Sequence, residues 1–339
     1  MDTTQKTQYT VNDFRSDQLV RWCPGCGDYA ILATMQRVMA DMGVAPEKTV
    51  VVSGIGCSSR LPYYVNSYGF HGIHGRSAAI ATGVKVANPD LTVWQVTGDG
   101  DCLAIGGNHF IHSVRRNIDI NVLIFNNQIY GLTKGQYSPT TLKGCITNSS
   151  PFGTIEEPFR PGELTVGARG TFFGRVLDVD MKSSHMTMLA ATKHKGTSVV
   201  ECLVNCVIFN DGAHKYLSEK TNREDRTIVL EHGKKMIFGK DRDKGLVLEG
   251  LNLKVVTIGE NGITEDDILT HDAKTPDPTL HLKLILMSGP EYPVALGVIR
   301  DVEAETYNDA LIKQIVDVQA KSSIKTFDDL IDSVEQWEM

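Results

Sequence analysis

No stretch of this sequence approaches the ~18 consecutive apolar residues of a membrane-spanning helix. The polar segment from Met1 to Thr10 also lacks the apolar core of a secretory signal. A cytoplasmic protein without a membrane partner is therefore expected. Positive charge is short as well: 34 Lys and Arg stand against 41 Asp and Glu, a net charge of −7, and the pI lies near 5.8. Neutralising the phosphates of a nucleic acid takes clustered cations, so no nucleic-acid partner is expected. Proline is sparse, with 12 residues, whereas glycine supplies 31 of 339. Many glycines and few prolines fit tight backbone turns over a ligand better than a disordered linker. Cysteine occurs 7 times, an odd number that suits reduced thiols or metal ligands more than a disulfide framework. What remains is a globular enzyme or enzyme subunit, long enough for about two structural units.

From Thr49 to about Cys206, short apolar runs alternate with helix-like segments. Thr49–Val52, Thr92–Val96, Asn121–Phe125 and Ser198–Leu203 read as strands, and their Val, Ile, Leu and Phe content fits strands buried on both faces of a parallel sheet. Asp28 is the expected N-cap of a first helix, followed by Ile31, Leu32, Met35, Val38, Met39 and Met42 at helical spacing and closed by Gly43. Ser77 opens an Ala-rich second helix that has to stop before Pro89. A third spans Leu103–Arg116, its last two arginines placed where the helix dipole favours cations. The alternation predicts an α/β fold with a doubly wound, mostly parallel sheet. Beyond about Asp225 charge rises and the alternation becomes irregular. Residues 226–339 are expected to form an extension packed on the domain spanning 1–225, with a helix at Thr326–Trp337.

Trp22-Cys23-Pro24-Gly25-Cys26-Gly27 sets two thiols two residues apart in a turn that lets both face one centre. Iron–sulfur ligation, structural zinc and a redox dithiol compete for such a turn. A thioredoxin-like dithiol would follow a strand, and no strand pattern precedes Trp22. Zinc usually wants a second Cys-x-x-Cys or a His pair, and neither is present. Cys57, Cys102, Cys145, Cys202 and Cys206 stand singly, so a cluster bound by the pair and two single cysteines remains open. Cys102 and Cys202 fit core positions. Cys202 and Cys206 lie too far apart to ligate together if the strand between them stays straight.

Gly98-Asp99-Gly100-Asp101 directly follows the strand at Thr92. Glycines at a strand's carboxyl end let backbone N–H groups approach a phosphate, which the N-terminus of a following helix also favours. Asp99 would repel a diphosphate unless a hard cation such as Mg²⁺ bridged them. The nicotinamide alternative, Gly-x-Gly-x-x-Gly, fails because Leu103 stands at its third glycine. Asn126-Asn127 ends the next strand after an interval of 25 residues, 101–125. One β–α–β crossover then brings Asn127 beside Asp99, and Asp, Asn and a loop carbonyl form a suitable oxygen set for Mg²⁺.

Gly-Asp-Gly followed at this distance by Asn-Asn resembles the thiamine diphosphate fingerprint. Taken with the Cys-x-x-Cys turn, Gly54-Ile55-Gly56-Cys57-Ser58-Ser59-Arg60, His71-Gly72-Ile73-His74-Gly75-Arg76 and Asn205-Cys206-Val207-Ile208-Phe209-Asn210-Asp211, it resembles the β subunit of 2-oxoacid:ferredoxin oxidoreductases over roughly residues 15–290. The stretch Asn126 to Thr140 is most similar to the 2-oxoglutarate branch. The resemblance implies a doubly wound domain of the thiamine diphosphate-binding type. It also implies a 4Fe–4S cluster on Cys23, Cys26, Cys57 and Cys206, and Mg²⁺ on Asp99, Asn127 and the carbonyl of Ile129. Contacts to thiamine diphosphate would come from Ile55, Gly56, Cys57, Ser58, His74, Gly75, Gly98, Gly100, Asp101, Gly131 and Leu132.

The implied activity is oxidative decarboxylation of a 2-oxoacid, here 2-oxoglutarate. Coenzyme A takes the acyl group and electrons pass through the cluster to ferredoxin, reversibly and with the option of fixing CO₂. Thiamine enzymes also need a Glu at the aminopyrimidine ring, supplied in this family by a separate pyrimidine-binding module for which the chain has no room. An α subunit carrying that module is expected, in a dimer of αβ heterodimers. Arg60 lies in the loop that the resemblance places over the cofactor. Its planar fork suits a substrate carboxylate. His71, His109 and His112 match no family position and read as structural or solvated. The competing readings are a sibling enzyme for pyruvate or a branched 2-oxoacid, and a non-catalytic electron-transfer subunit.

Overall fold

The computed structural model describes residues 8–334. Among these residues eleven strands are present: β1 (Thr49–Ser53), β2 (Tyr68–His71), β3 (Thr92–Gly98), β4 (Asn121–Asn126), β5 (Phe172–Leu177), β6 (Ser198–Leu203), β7 (Thr227–Leu230), β8 (Ile237–Phe238), β9 (Lys244–Glu249), β10 (Asn252–Thr257) and β11 (Val294–Asp301). The helices that matter for the site are α1 (Asp28–Met42), α2 (Ser77–Ala87), α3 (Asp99–Leu103), α4 (Gly107–Arg115), α5 (Pro161–Gly167) and α6 (Met181–Lys193).

The central sheet has eight strands in the order β2-β1-β3-β4-β6-β5-β11-β7. Its neighbours are parallel except β11 against β5. Side chains of each strand alternate between two apolar layers, as the two-residue pleat requires. Val50, Val52, Val122 and Ile124 pack with Ala81 of α2, Phe110 of α4 and Val166 of α5. Val51, Leu123 and Phe125 pack with Ile31 and Met35 of α1 and Met188 of α6. Helices therefore cover both faces, the doubly wound arrangement expected from the alternation. No described helix is long and apolar enough to cross a membrane.

The four expected strands form where the apolar runs lie. The sequence pattern passed over β2 and β5. β2 is an exposed edge strand with Gly69 inside it, and β5 is interrupted by Gly174 and Arg175, so neither presents an unbroken apolar run. Gly43 ends α1 in the left-handed conformation, φ 66°. Asp28 is not its N-cap: Gly27 holds that place, and Asp28 is a buried first helical residue. The expected helix Leu103–Arg116 is two helices. Gly98-Asp99-Gly100-Asp101 does not precede a helix; Asp99 already begins α3, and the chain breaks at Ala104–Gly106 before α4. Gly106 sits so close to the preceding turn that a Cβ there would come 2.4 Å from the Asp101 carbonyl oxygen.

Past residue 226 the chain completes the central sheet with β7 and β11 and adds a separate antiparallel sheet, β10-β9-β8. The helix expected at Thr326–Trp337 is observed as Phe327–Asp332, N-capped by Thr326; Glu335, Gln336 and Trp337 lie outside the described residues.

Candidate active site

Parallel strands deliver their carboxyl ends to one edge, and ligands of open α/β sheets collect there. At the ends of β1, β3 and β4 lies a cleft partly open to solvent. Ile55, Gly56, Cys57 and Ser58 form one wall, Gly98 to Asp101 the floor, and Asn127, Ile129, Gly131 and Leu132 the other wall, with His74 at the side. Three separate chain segments, following β1, β3 and β4, thus meet because β3 lies between β1 and β4.

Asp99 is buried at the floor. Its Oδ2 accepts hydrogen bonds from Ser138 Oγ and Thr140 Oγ1, both at 2.5 Å. Burial pushes its carboxyl up to about 6, against the pull of those two hydroxyls and the Gly100 amide. An acid buried in this way favours its charged form once a hard cation shares the site. Asn127 Oδ1 accepts from the Ile129 amide at 3.1 Å, which shapes the turn that carries the Ile129 carbonyl. Gln128 between them takes a positive φ of 58°.

Asp101 has a second, structural part as well. It lines the cleft, but its Oδ1 accepts the amides of Ile55 (3.0 Å) and Gly75 (2.7 Å) and its Oδ2 accepts Thr97 Oγ1 (2.8 Å). It therefore staples two loops to α3. A Cβ on Gly54 would stand 2.0 Å from its Oδ2, so only glycine fits there. Gly75 is not part of the cleft lining: its amide serves Asp101, and a Cβ on it would meet the Gly106 backbone nitrogen at 2.4 Å.

The cleft suits an anionic phosphate group and a cation. Ser58 Oγ is buried and has no hydrogen-bond partner among the described residues. A Cβ on Gly98 would lie 3.6 Å from it, so the orphaned hydroxyl sits beside the start of the Gly-Asp-Gly turn. Gly56 has a φ of 142° and nothing within 4 Å of where its Cβ would stand. An unpaired donor, a glycine whose missing side chain leaves space, and carboxylate, amide and carbonyl oxygens fit a diphosphate held through Mg²⁺.

The cysteines divide into three sets. Cys102 and Cys202 are buried in the two opposite core layers. Cys145 lies in the loop after Leu142. The other four gather. The Cys23–Cys26 turn closes with a hydrogen bond from the Cys26 amide to the Cys23 carbonyl, and the Gly27 amide ties it to the Asn205 carbonyl, next to Cys206. A Cβ on Gly131 would be 3.5 Å from the sulfurs of both Cys57 and Cys206. Burial raises the Cys57 thiol to about 12, with Asp28, Cys206 and Cys23 adding to the rise, and raises Cys26 well above the usual thiol range, with Asp28, Cys57 and Cys206 contributing. Such thiols ionise only when a metal shares the site. Among the described residues no three His, Cys, Asp or Glu side chains converge as on a single ion. A polynuclear cluster spreads its ligands over several irons and does not need that convergence.

Arg60 lies in the short 3-10 turn Ser58–Tyr63 and is half-buried. It does not line the cleft, but its charge acts favourably on the Cys57 thiolate. It forms no ion pair with a described residue. His71 is exposed and bonded to the Tyr63 hydroxyl. The sequence reading missed Asp28, Ile105, Phe125, Tyr130 and Thr133, which complete the cleft. Tyr130 closes over the turn: its hydroxyl donates to the Gly100 carbonyl at 3.1 Å and its ring fills the space a Cβ on Gly100 would need. Asp28, raised to about 7 by burial, gave no signal in the sequence, because it looked like a helix cap.

Residues 54–202 match the family described as thiamine pyrophosphate enzyme, C-terminal TPP binding domain. Over 328 residues the chain is 46% identical to the 2-oxoglutarate oxidoreductase subunit KorB of Mycobacterium tuberculosis, covering 96% of this chain and 87% of that protein. It is 44% identical over 214 residues to the 2-oxoglutarate synthase subunit KorB of Archaeoglobus fulgidus, covering 62% of this chain and 80% of that one. Among solved structures it resembles the 2-oxoglutarate:ferredoxin oxidoreductase from Magnetococcus marinus with 2-oxoglutarate, coenzyme A and succinyl-CoA bound. The TM-score is 0.78 and the identity 28%, over 98% of each chain.

Proposed function

The chain belongs to the family of 2-oxoacid:ferredoxin oxidoreductase β subunits, and from that footing we propose that it supplies the thiamine diphosphate and iron–sulfur half of an enzyme that oxidises 2-oxoglutarate to succinyl-CoA and CO₂. Asp99, Asn127 and the Ile129 carbonyl hold Mg²⁺, and Ser58 with the backbone of residues 55–57 and 98–100 receives the diphosphate. His74, Gly131 and Leu132 close the sides of the cleft. Cys23, Cys26, Cys57 and Cys206 hold one 4Fe–4S cluster. When bound, thiamine diphosphate supplies the carbanion that adds to the 2-oxo carbon and lets CO₂ leave.

The chain's own residues orient and insulate. Asp101 keeps the 54–58 loop and the His74-Gly75 turn in register, while Phe125, Ile129 and Leu132 give the cleft apolar walls that keep water from the reacting carbon. Arg60 attracts a carboxylate of the substrate. The acids lining the cleft are Asp28, Asp99 and Asp101, so the Glu for the aminopyrimidine ring comes from an α subunit, and αβ units pair into a dimer. Ferredoxin takes the electrons and coenzyme A the acyl group, and the reaction runs in both directions.

The single observation that carries this reading is that Cys57 belongs at once to the cleft wall and to the cysteine group around Gly131, which gives electrons a short route out of the cleft. Anaerobic co-purification with the partner, followed by iron and thiamine analysis and a 2-oxoacid panel, tests it. One 4Fe–4S cluster per chain, retained in Cys202→Ala and lost in Cys206→Ala, with preferential turnover of 2-oxoglutarate, is the expected result. Stoichiometric zinc without iron, or a preference for pyruvate, would overturn the corresponding part.

A further inference from the structure

The two hydroxyls on Asp99 come from a loop 39 and 41 residues downstream, and both close on the same carboxylate oxygen, Oδ2. That loop is fixed at its root. The Ser138 amide donates to Thr141 Oγ1 at 2.7 Å, and the Thr141 hydroxyl donates to the Gln128 carbonyl at 2.6 Å. Thr140 Oγ1 also lies 2.9 Å from Asn126 Oδ1. Asn126 Nδ2 donates to Glu201 Oε1 at 2.8 Å, and Arg175 Nε donates to Glu201 Oε2 at 2.7 Å. The remaining guanidinium N–H groups of Arg175 reach the carbonyls of Ile285 and Ala295. The side chains of Asp99, Asn126, Ser138, Thr140, Arg175 and Glu201 are all buried. Their network runs across β4, β6 and β5 from the floor of the cleft to the neighbourhood of β11.

We propose that Ser138 and Thr140 are positioning residues that hold Asp99 as a one-oxygen ligand and thereby select Mg²⁺ over Ca²⁺. The proposal rests on the reading of Asp99 as the cation's ligand. With two short hydrogen bonds on Oδ2, only the other oxygen is left for a cation, and the carboxylate plane cannot turn to offer both. Mg²⁺ demands near-ideal octahedral geometry with single oxygens at short distance. Ca²⁺ accepts six to eight ligands and readily takes both oxygens of one carboxylate. Two hydroxyls that forbid the two-oxygen mode therefore penalise Ca²⁺ and pre-set the geometry for Mg²⁺. The Thr141 hydroxyl, which accepts from the Ser138 amide and donates to the Gln128 carbonyl, keeps the loop from following Asp99 if it turns.

The test uses the purified αβ complex stripped of cofactor and cation, with thiamine diphosphate binding read by calorimetry at matched concentrations of Mg²⁺ or Ca²⁺. Ser138→Ala with Thr140→Val should lower Mg²⁺-supported affinity roughly 10- to 100-fold, the usual cost of losing an outer-shell partner. Ca²⁺-supported affinity should fall less or rise, so that the ratio between the two cations collapses. Thr140→Ser keeps the hydroxyl and should retain the ratio, and Ser138→Ala alone gives a milder reading if the double variant does not fold. Equal losses with both cations, or an unchanged ratio, would overturn the clamp. Asp99→Ala separates the two readings: if it leaves Mg²⁺-dependent binding intact, the cation assignment itself fails. If it abolishes that binding while the hydroxyl variants keep the ratio, only the clamp fails.

Discussion

The indole N–H of Trp22 donates to the carbonyl of Cys57 at 2.6 Å, joining the turn that carries Cys23 and Cys26 to the loop that carries Cys57. The ring is held edge-on by Tyr29 and Tyr64. Two segments 35 residues apart in sequence are thus fixed to each other before any metal arrives. Trp22→Phe keeps an aromatic ring and removes the donor. The expected outcome is a protein less stable by ~1 kcal/mol whose visible iron–sulfur absorbance is lost faster to a chelator. Chelation at the wild-type rate would show that this bond does not hold the cysteine loops together.

Asp101 is expected to matter for stability more than for contact with a ligand. Asp101→Ala strands two backbone amides and the Thr97 hydroxyl, and each unmade buried hydrogen bond costs ~1–3 kcal/mol. Asp101→Asn retains one acceptor oxygen for the Ile55 and Gly75 amides and should cost much less. Thermal unfolding of both variants, alongside thiamine diphosphate affinity, decides the point. Similar melting temperatures for the two would argue against the staple.

Arg60→Ala in the reconstituted complex should raise KM for 2-oxoglutarate, with a loss of ~1.5–3 kcal/mol if a charged hydrogen bond disappears. A loss confined to 2-oxoglutarate places Arg60 at the distal carboxylate. Equal losses with a monocarboxylate place it at the carboxylate that both substrates share. Steady-state kinetics unaltered for both would remove Arg60 from the site.

Acid stability should depend on His271. The ring is buried, and its Nε2 donates to the Val298 carbonyl at 2.9 Å, while Nδ1 has no partner. Burial lowers its pKa from 6.5 to about 4, with His281 and His232 adding to the fall and Asp272 opposing it. The folded protein therefore binds fewer protons here than the unfolded chain between those two values. The resulting stability is fully present above pH ~6.5 and is lost as pH falls toward ~4, a change on the order of 2–3 kcal/mol. His271→Gln keeps a donor without taking up a proton, so its melting temperature should fall less between pH 7 and pH 5 than that of the wild type. Parallel pH profiles would assign the acid sensitivity elsewhere, with His214 and His281 as the next candidates since burial lowers both.

Local pattern settled several things without any coordinates. Val, Ile and Phe runs long enough to form strands do so wherever both faces are covered, so β1, β3, β4 and β6 lie where the periodicity put them. The spacing from Asp99 to Asn127 equals one crossover between adjacent parallel strands, and both residues reach the same cleft. Cys23 and Cys26 needed only a turn, and Gly25, at φ 83°, supplies it. These are consequences of short-range backbone geometry, which a sequence states directly.

Tertiary structure alone decided the rest. Cys202 lies inside β6 with its side chain in a core layer, whereas Cys206 follows the end of that strand, where the chain folds back to pair with Asn210. Four residues of separation look the same on paper whether or not the strand continues. Asp101, two residues after Asp99, was expected only to contact the cofactor; that its carboxylate also ties the loops at Ile55 and Gly75 to α3 is visible only in the fold. Ser138 and Thr140 carried no signal, because a hydroxyl acquires meaning only from the buried acid it meets. Strand order, set by the packing of helices on both faces, brings them to Asp99. The sequence by itself determined which backbone segments could form strands, turns and ligand pairs, since those depend on neighbours a few residues away. Which side chains share one oxygen, one sulfur group or one cleft depended on distances across the sheet that no local pattern encodes.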